Sequence, residues 1–265
     1  MGVISVSELE RSYRRSRTSL TGPRPEVHAL RGVSFDIERG QRFGIVGESG
    51  SGKSTLVRLL AALDRPTSGS ITFQGRRIDD LPERRLGFLR SQVQIVFQDP
   101  MGSLDPRMRV RDIISEPLGR RPGRRERVRE LLDAVGLPAD ASERYPHQFS
   151  GGQRQRISLA RALAPRPSVL LADEAVSALD VLVRKQILDL IAELVERYEL
   201  TLVFVSHDLG VVRRVCDTVA VMRAGEIVEL GPVDEVYDDP KHPYTRELIA
   251  AAPNLAAALA GLEEE

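Results

Sequence analysis

Cysteine is nearly absent from this 265-residue chain: Cys216 is the single thiol, so an intramolecular disulfide and a multi-cysteine metal cluster are both excluded. It is expected to pack within a helix as a small apolar side chain. Net charge is absent too, 38 Lys and Arg balancing 38 Asp and Glu, which removes any global attraction to nucleic acid or acidic lipid. No apolar run approaches the roughly 18 residues that a membrane-spanning helix needs. The N-terminus lacks the basic-then-apolar layout of a signal peptide, and Val6 stands where a myristoylated Met1-Gly2 sequence has Ser or Thr. The expectation is a protein that stays in the cytoplasm and reaches a membrane only through a partner. Aromatic residues make up only 5% of the chain, and none interleaves with the arginines between Arg107 and Arg129. That run therefore reads as a solvated helical face rather than a nucleic-acid surface. Opposite charge gathers at the other end, in Glu263, Glu264 and Glu265.

Apolar residues are plentiful, at 42%, and suffice for a sizeable core in one large domain or two small ones. Against this background one stretch carries a specific chemistry. Residues Gly47-Glu48-Ser49-Gly50-Ser51-Gly52-Lys53-Ser54 fit the pattern G-x-x-x-x-G-K-[ST]. The pattern follows an apolar run, Arg42 to Gly47, that reads as a buried strand, and it opens an amphipathic run, Thr55 to Leu63, that reads as a helix. Glycines let the backbone wrap close to phosphate oxygens, and the helix start adds the positive end of a dipole. Lys53 is expected to reach the β- and γ-phosphates and Ser54 to offer its hydroxyl to Mg2+, with Gly47 through Thr55 cradling the nucleotide. A second apolar run, Val169 to Ala172, ends in Asp173 and Glu174. It reads as a strand delivering one carboxylate to the magnesium shell and one, Glu174, to the attacking water as general base.

With these two features in hand, four more motifs fall into order. Gln98 follows the strand Val93 to Phe97; Ser150-Gly151-Gly152-Gln153 opens a helix; Ser177 to Asp180 forms a loop after the Asp-Glu strand; and His207 follows the strand Thr201 to Ser206. The chain resembles the nucleotide-binding subunit of ATP-binding cassette transporters over essentially its whole length. The resemblance implies an α/β fold: a RecA-like P-loop ATPase core, a small antiparallel β subdomain and an inserted α-helical subdomain. It implies ATP and Mg2+ as cofactors, with Gln98 at the metal or the attacking water, His207 on the γ-phosphate, and Asp173 with Ser54 on the metal. Tyr13 lies where the family stacks an aromatic on adenine. Ser150, Gly151, Gly152 and Gln153, together with Asp180, are implied to meet the nucleotide of a second subunit, giving a head-to-tail dimer around two ATPs. One departure is visible: Ala175-Val176 replaces the family's usual Pro-Thr after the glutamate. Proline and threonine there are structural, so hydrolysis is expected to be retained.

Element patterning supports this organisation. Strand and helix signals alternate up to about Leu63 and again from about Pro167 to Ser206, as in a mainly parallel sheet flanked by helices. Between them, Val110 to Leu118 and Glu126 to Val135 have helical spacing, the second ending at Gly136 as a C-cap. Ile71 to Phe73 reads as part of the small antiparallel sheet, and Val219 to Met222 with Ile227 to Leu230 as a hairpin through Ala224-Gly225. The expected boundaries are an ATPase domain over 1–235, with the helical insert at about 99–165, and a C-terminal tail over 236–265.

Asp99 to Pro106, Arg144 to His147 and Lys241-His-Pro-Tyr-Thr-Arg-Glu-Leu248 further resemble the branch importing oligopeptides, dipeptides, nickel and glutathione. This implies two integral-membrane permease subunits, a second ABC ATPase subunit (a heterodimer, with a homodimer as the alternative), an extracytoplasmic substrate-binding protein, no nucleic acid, and a place on the cytoplasmic face of the cell membrane, peripheral through the permeases. Lacking the cysteines of the iron-sulfur-binding members, the chain is expected to be the simpler partner of the pair. The alternative reading is an ATPase component of a soluble phosphonate-cleaving complex.

Overall fold

The structure, a computed structural model, describes residues 2–14, 26–120 and 122–251, with the backbone alone for Pro100 and Met101. The glutamates at 263–265 and the end of the expected tail lie outside the described residues. In chain order the elements are β1 (Ile4–Arg14), β2 (Glu26–Ile37), β3 (Arg42–Val46), α1 (Lys53–Leu60), β4 (Ser68–Phe73), β5 (Arg76–Arg77), α2 (Gly87–Gln92), β6 (Val93–Val96), α3 (Pro100–Ser103), α4 (Val110–Ser115), α5 (Arg124–Ala134), α6 (Gly151–Leu163), β7 (Val169–Asp173), α7 (Val181–Arg197), β8 (Thr201–Ser206), α8 (Leu209–Val215), β9 (Thr218–Arg223), β10 (Glu226–Pro232), α9 (Val233–Asp238) and α10 (Pro243–Ala251).

Two compact units divide the chain. One comprises residues 1–89 with 205–252; the other comprises 90–204. The first unit contains an antiparallel sheet ordered β2-β1-β4-β5, with Ile4 opposite both Ile37 and Phe73. The isolated strand signal at Ile71 thus belongs to a four-stranded layer. The unit also holds β3 beside β9 in parallel, Phe43 aligned with Thr218 and Val46 with Val221, and β9 beside β10 in antiparallel. The β9–β10 hairpin turns through Ala224 and Gly225, both at positive φ (50° and 89°). Two positive values in succession define the type I′ turn that matches strand twist, although Ala is not a residue that signals it.

In the second unit β6 and β7 run parallel, Val93 aligned with Val169 and Val96 with Ala172. Strands β3, β7 and β8 are buried at nearly every position, which is why they appear in the sequence as unbroken apolar runs rather than alternations. Helix α1, only eight residues long, gains its stability from packing: Leu56, Val57, Leu59 and Leu60 are buried. The expected helix over Val110 to Leu118 splits, α4 ending at Ser115 and a 3-10 turn carrying Pro117. Proline inside the run has no N–H to continue the α ladder. Helix α5 ends as expected, with Gly136 at φ 66° behind it. The arginine run is not uniformly solvated: Arg127 is buried and donates to the carbonyls of Leu163 (2.6 Å) and Ala164 (3.3 Å) at the end of α6. Cys216 is the buried C-cap of α8, and burial pushes its thiol pKa up, away from reactivity.

Candidate functional site

The site residues fall in two groups, one in each unit. In the first, β3 runs directly into the glycine-rich loop. Gly47 (φ 154°) cannot carry a side chain, because a Cβ there falls 2.2 Å from the Met222 carbonyl oxygen; at Gly52 (φ 107°), the N-cap of α1, it falls 2.5 Å from the carbonyl of Ala29. The two fixed glycines of the motif are therefore set by close backbone approach as well as by conformation. Lys53 is buried, and its Nζ donates to the carbonyls of Gly47 (2.7 Å) and Glu48 (2.8 Å). The loop thus holds its own cation where phosphate oxygens are expected to draw it. Ser51 Oγ is buried without a hydrogen-bond partner, although such groups are nearly always satisfied. An orphaned hydroxyl in a glycine-rich loop at a helix start suits a phosphate ligand. Ser54 is exposed on the first turn of α1 and Thr55 half-buried beside it.

His207 is exposed at the end of β8. Its neighbour Asp208, buried, caps α8 by accepting from the N–H groups of Gly210 (2.9 Å) and Val211 (3.3 Å), while its own N–H donates to Ser206 Oγ (3.0 Å). Tyr13 is half-buried near the end of β1. Its hydroxyl donates to Asp64 Oδ2 (2.7 Å), and the Arg11 guanidinium covers one ring face at 4.4 Å. Burial works to raise the Asp64 carboxyl, but the hydrogen bonds from Tyr13 and Arg65 N–H and the Arg11 charge outweigh it and hold its pKa below the ordinary value.

In the second unit the parallel β6–β7 register sets Asp173 as the last residue of β7 and carries Glu174 and Gln98 beyond the same end of the two neighbouring strands. Glu174 sits at φ 48°, an uncommon conformation for a residue with a side chain, costing on the order of 1–3 kcal/mol. Its carbonyl accepts from both the N–H (3.1 Å) and the hydroxyl (3.0 Å) of Ser177, which offset that strain. Ser150 caps α6 through a reciprocal box: Gln153 N–H donates to Ser150 Oγ (3.3 Å) and Ser150 N–H to Gln153 Oε1 (3.0 Å). Asp180 caps α7 by accepting from Val183 N–H (2.9 Å).

The Ser150–Gln153 segment and the Asp180 loop with the start of α7 are brought together. A Cβ on Gly152 falls 2.5 Å from Val183 Cγ1, and one on Gly151 3.6 Å from Leu179 Cδ2. Gly152 is therefore the contact that lets α6 and α7 approach, a role no local sequence signal carries. Gly152→Ala should destabilise the fold by about 1–3 kcal/mol through overpacking, lowering the thermal midpoint, whereas Gly151→Ala should leave it nearly unchanged. Equal midpoints for the two variants would contradict the packing role. A separate concavity of about 740 Å³ in the second unit is lined by residues including Arg111, Ser115, Arg124, Arg129, Leu132 and Glu143, and by none of the residues expected to bind nucleotide.

Comparison with known proteins bears on this arrangement. A family model described as ABC transporter matches residues 30–177, more than half of the chain. The chain belongs to the ABC transporter family. This cassette also matches, over residues 228–264, a model described as the C-terminal region of oligopeptide/dipeptide transporters. It is 46% identical over 256 residues to the di/tripeptide transport ATP-binding protein DppF of Pseudomonas aeruginosa, spanning 95% of this chain and 79% of that protein. It is 52% identical over 233 residues to the glutathione import ATP-binding protein GsiA of Escherichia coli, covering 86% of this chain but 37% of that longer protein. Among solved structures, the dimeric post-hydrolysis state of the cassette MJ0796 bound to ADP and Pi aligns with a TM-score of 0.77 at 30% identity, over 87% of this chain and 98% of that one. The cbiO1 cassette of Clostridium perfringens aligns with a TM-score of 0.77 at 28% identity, over 98% and 99%. The ABC cassette is thus an ATP-binding, ATP-hydrolysing member of the family, with the α/β fold expected of it. Among the described residues no helix is long and apolar enough to cross a membrane.

Proposed function

We propose that this ABC ATPase powers the import of di- and oligopeptides by closing as a dimer around ATP beneath two integral-membrane permease subunits. The observation that carries the reading is the co-occurrence, on one chain, of the ABC transporter match and the oligopeptide/dipeptide C-terminal match. The names of the relatives, one a di/tripeptide transporter component and one a glutathione importer component, support the same cargo class. The expected domain bounds, 1–235 with an insert at about 99–165 and a tail over 236–265, form part of the proposal.

Each residue has a chemical task. Gly47 through Thr55 present N–H groups to the α- and β-phosphates, Lys53 moves from the loop carbonyls to the β- and γ-phosphates, and Tyr13 stacks its ring on adenine. Ser54, Asp173 and Gln98 supply oxygen donors suited to Mg2+, which binds with few protein carboxylates alongside substrate phosphates. The ion, when bound, neutralises charge developing on the γ-phosphate. Glu174 takes a proton from the attacking water, and His207 holds that water and the γ-phosphate in register. Ser150, Gly151, Gly152, Gln153 and Asp180 face the nucleotide of a second ABC ATPase subunit, in a heterodimer. Closing the dimer draws the permeases together; losing the γ-phosphate removes the atoms that bridge the subunits and lets them part. An extracytoplasmic binding protein delivers cargo, and this chain sits on the cytoplasmic face of the membrane, held there through the permease subunits.

Affinity purification of the tagged chain from native membranes, followed by mass spectrometry, tests the assembly. Two polytopic permeases and a second cassette are expected. Soluble lyase subunits in their place would move the chain to a phosphonate-cleaving complex and overturn the transport reading.

A further inference from the structure

The segment Lys241 to Thr245 marks the chain's transporter branch, yet the ATPase cycle gives it no task. In the structure it is built around Glu229 of β10. The Glu229 carboxylate accepts from Lys241 N–H (2.8 Å), His242 N–H (3.1 Å) and Thr245 Oγ1 (2.5 Å). Burial works to raise its pKa, and these hydrogen bonds outweigh burial and hold it below the ordinary glutamate value. Within the turn, Tyr244 N–H donates to His242 Nδ1 (3.2 Å). This frame sends the Tyr244 side chain inward, where it is 2% exposed and the Arg223 guanidinium lies 4.8 Å from its ring centre.

At its tip, Tyr244 Oη accepts the N–H of Glu48, 196 residues away, at 3.0 Å. That N–H belongs to the same peptide unit as the Gly47 carbonyl, to which Lys53 Nζ donates at 2.7 Å. A peptide unit is planar, with its C=O and N–H pointing opposite ways, so holding one end fixes the other. One end of the Gly47–Glu48 plane is held by the lysine that serves phosphate and the other by the hydroxyl of the C-terminal segment. Gly47 has no side chain to limit rotation of that plane, so an external hold on it is effective.

We infer that Tyr244 is a positioning residue for the nucleotide loop: its hydroxyl orients the Gly47–Glu48 peptide and so presets where Lys53 stands when ATP arrives. The C-terminal segment of this branch is then a brace on the P-loop, built on Glu229. The inference rests on the P-loop reading proposed above. Its energetic scale is that of one buried neutral hydrogen bond, which corresponds to about a 2- to 10-fold change in affinity.

The test is Tyr244→Phe in the complete transporter complex, which keeps the ring and removes only the hydroxyl. The expected result is a roughly 2- to 10-fold rise in the dissociation constant for MgATP and in KM for ATP, with kcat within about twofold of wild type. Glu229→Gln, which loosens the segment without altering Tyr244, should raise KM in the same direction. Arg213→Ala serves as the stability control, because Arg213 pairs with Asp234 and Asp238 at the exposed side of α9 and has no part in the loop. Unchanged ATP affinity in Tyr244→Phe would overturn the inference. So would an equal loss of affinity in Arg213→Ala, since the effect would then be general destabilisation. A parallel Lys53→Ala measurement separates the two levels: if it too leaves ATP affinity intact, the P-loop assignment itself fails rather than the brace.

Discussion

Glu174→Gln is expected to retain ATP binding and to lose about 10²- to 10⁴-fold in turnover, the usual contribution of a positioned general base. Glutamine has the same length and shape, so the two Ser177 hydrogen bonds to the residue 174 carbonyl, and the positive φ they hold, are unaffected. Only the ability to take a proton from water is removed. Bound ATP then persists, and with the second cassette subunit present the closed dimer should accumulate, visible by size-exclusion chromatography in MgATP as a species that carries both subunits. Measuring turnover and dimer fraction on the same preparation makes the result decisive. Near-normal turnover would remove Glu174 as the base; lost turnover without ATP binding would mean the substitution had damaged the loop around it.

Lys53→Ala should act one step earlier. Hydrogen bonds to charged groups contribute about 1.5–3 kcal/mol each, so deleting the ammonium should weaken ATP binding by roughly 10- to 100-fold or more. The structure adds a second reason. Lys53 Nζ bridges the carbonyls of Gly47 and Glu48, and without it the free loop loses the two hydrogen bonds that preorganise it, so ordering it around phosphate costs more. Titration with a fluorescent ATP analogue reads the effect directly. Because ADP lacks the γ-phosphate but keeps the β, it should lose less affinity than ATP; equal losses would mean that Lys53 acts on the loop alone. Unchanged affinity for both would sink the nucleotide-loop assignment.

The strands that deliver these residues were legible because each is a buried, nearly parallel-type run ending in the functional group. Strand β3 leads into Gly47, β7 ends at Asp173, and β8 ends one residue before His207. A run buried on both faces leaves a continuous apolar signature, and the polar residue after it stands out. What stayed hidden depends on neighbours distant in the chain. Nothing around Gly152 announces that Val183 packs where its Cβ would be, and nothing near Tyr244 announces Glu48. The Asp64 partner of Tyr13 is likewise 51 residues away. One local pattern misled, and one expected turn was only weakly signalled. Arg127 belongs to a run of arginines whose helical spacing reads as solvated, yet its guanidinium finds the carbonyls at the end of α6. Ala224 occupies a positive-φ turn position that the usual Asn or Asp would have advertised.

The Ala175-Val176 departure is accommodated without visible damage. Both side chains are buried, and the chain regains regular structure at the Asp180 cap of α7. Hydrolysis is expected to survive it, since the glutamate, its backbone support and the Ser150 cap of α6 are intact.

Coupling of ATP hydrolysis to inward movement of small peptides is the property that defines the proposed function. The most direct measurement is uptake of radiolabelled di- and tripeptides, with glutathione alongside, by the complex purified from native membranes and reconstituted in proteoliposomes, with ATP supplied on the cassette side and binding protein on the other. Accumulation is expected to require ATP, to stop with Glu174→Gln, and to be matched by peptide-stimulated phosphate release. Uptake that proceeds equally without ATP or with the Glu174→Gln chain, or ATP hydrolysis that moves none of these peptides, would contradict it.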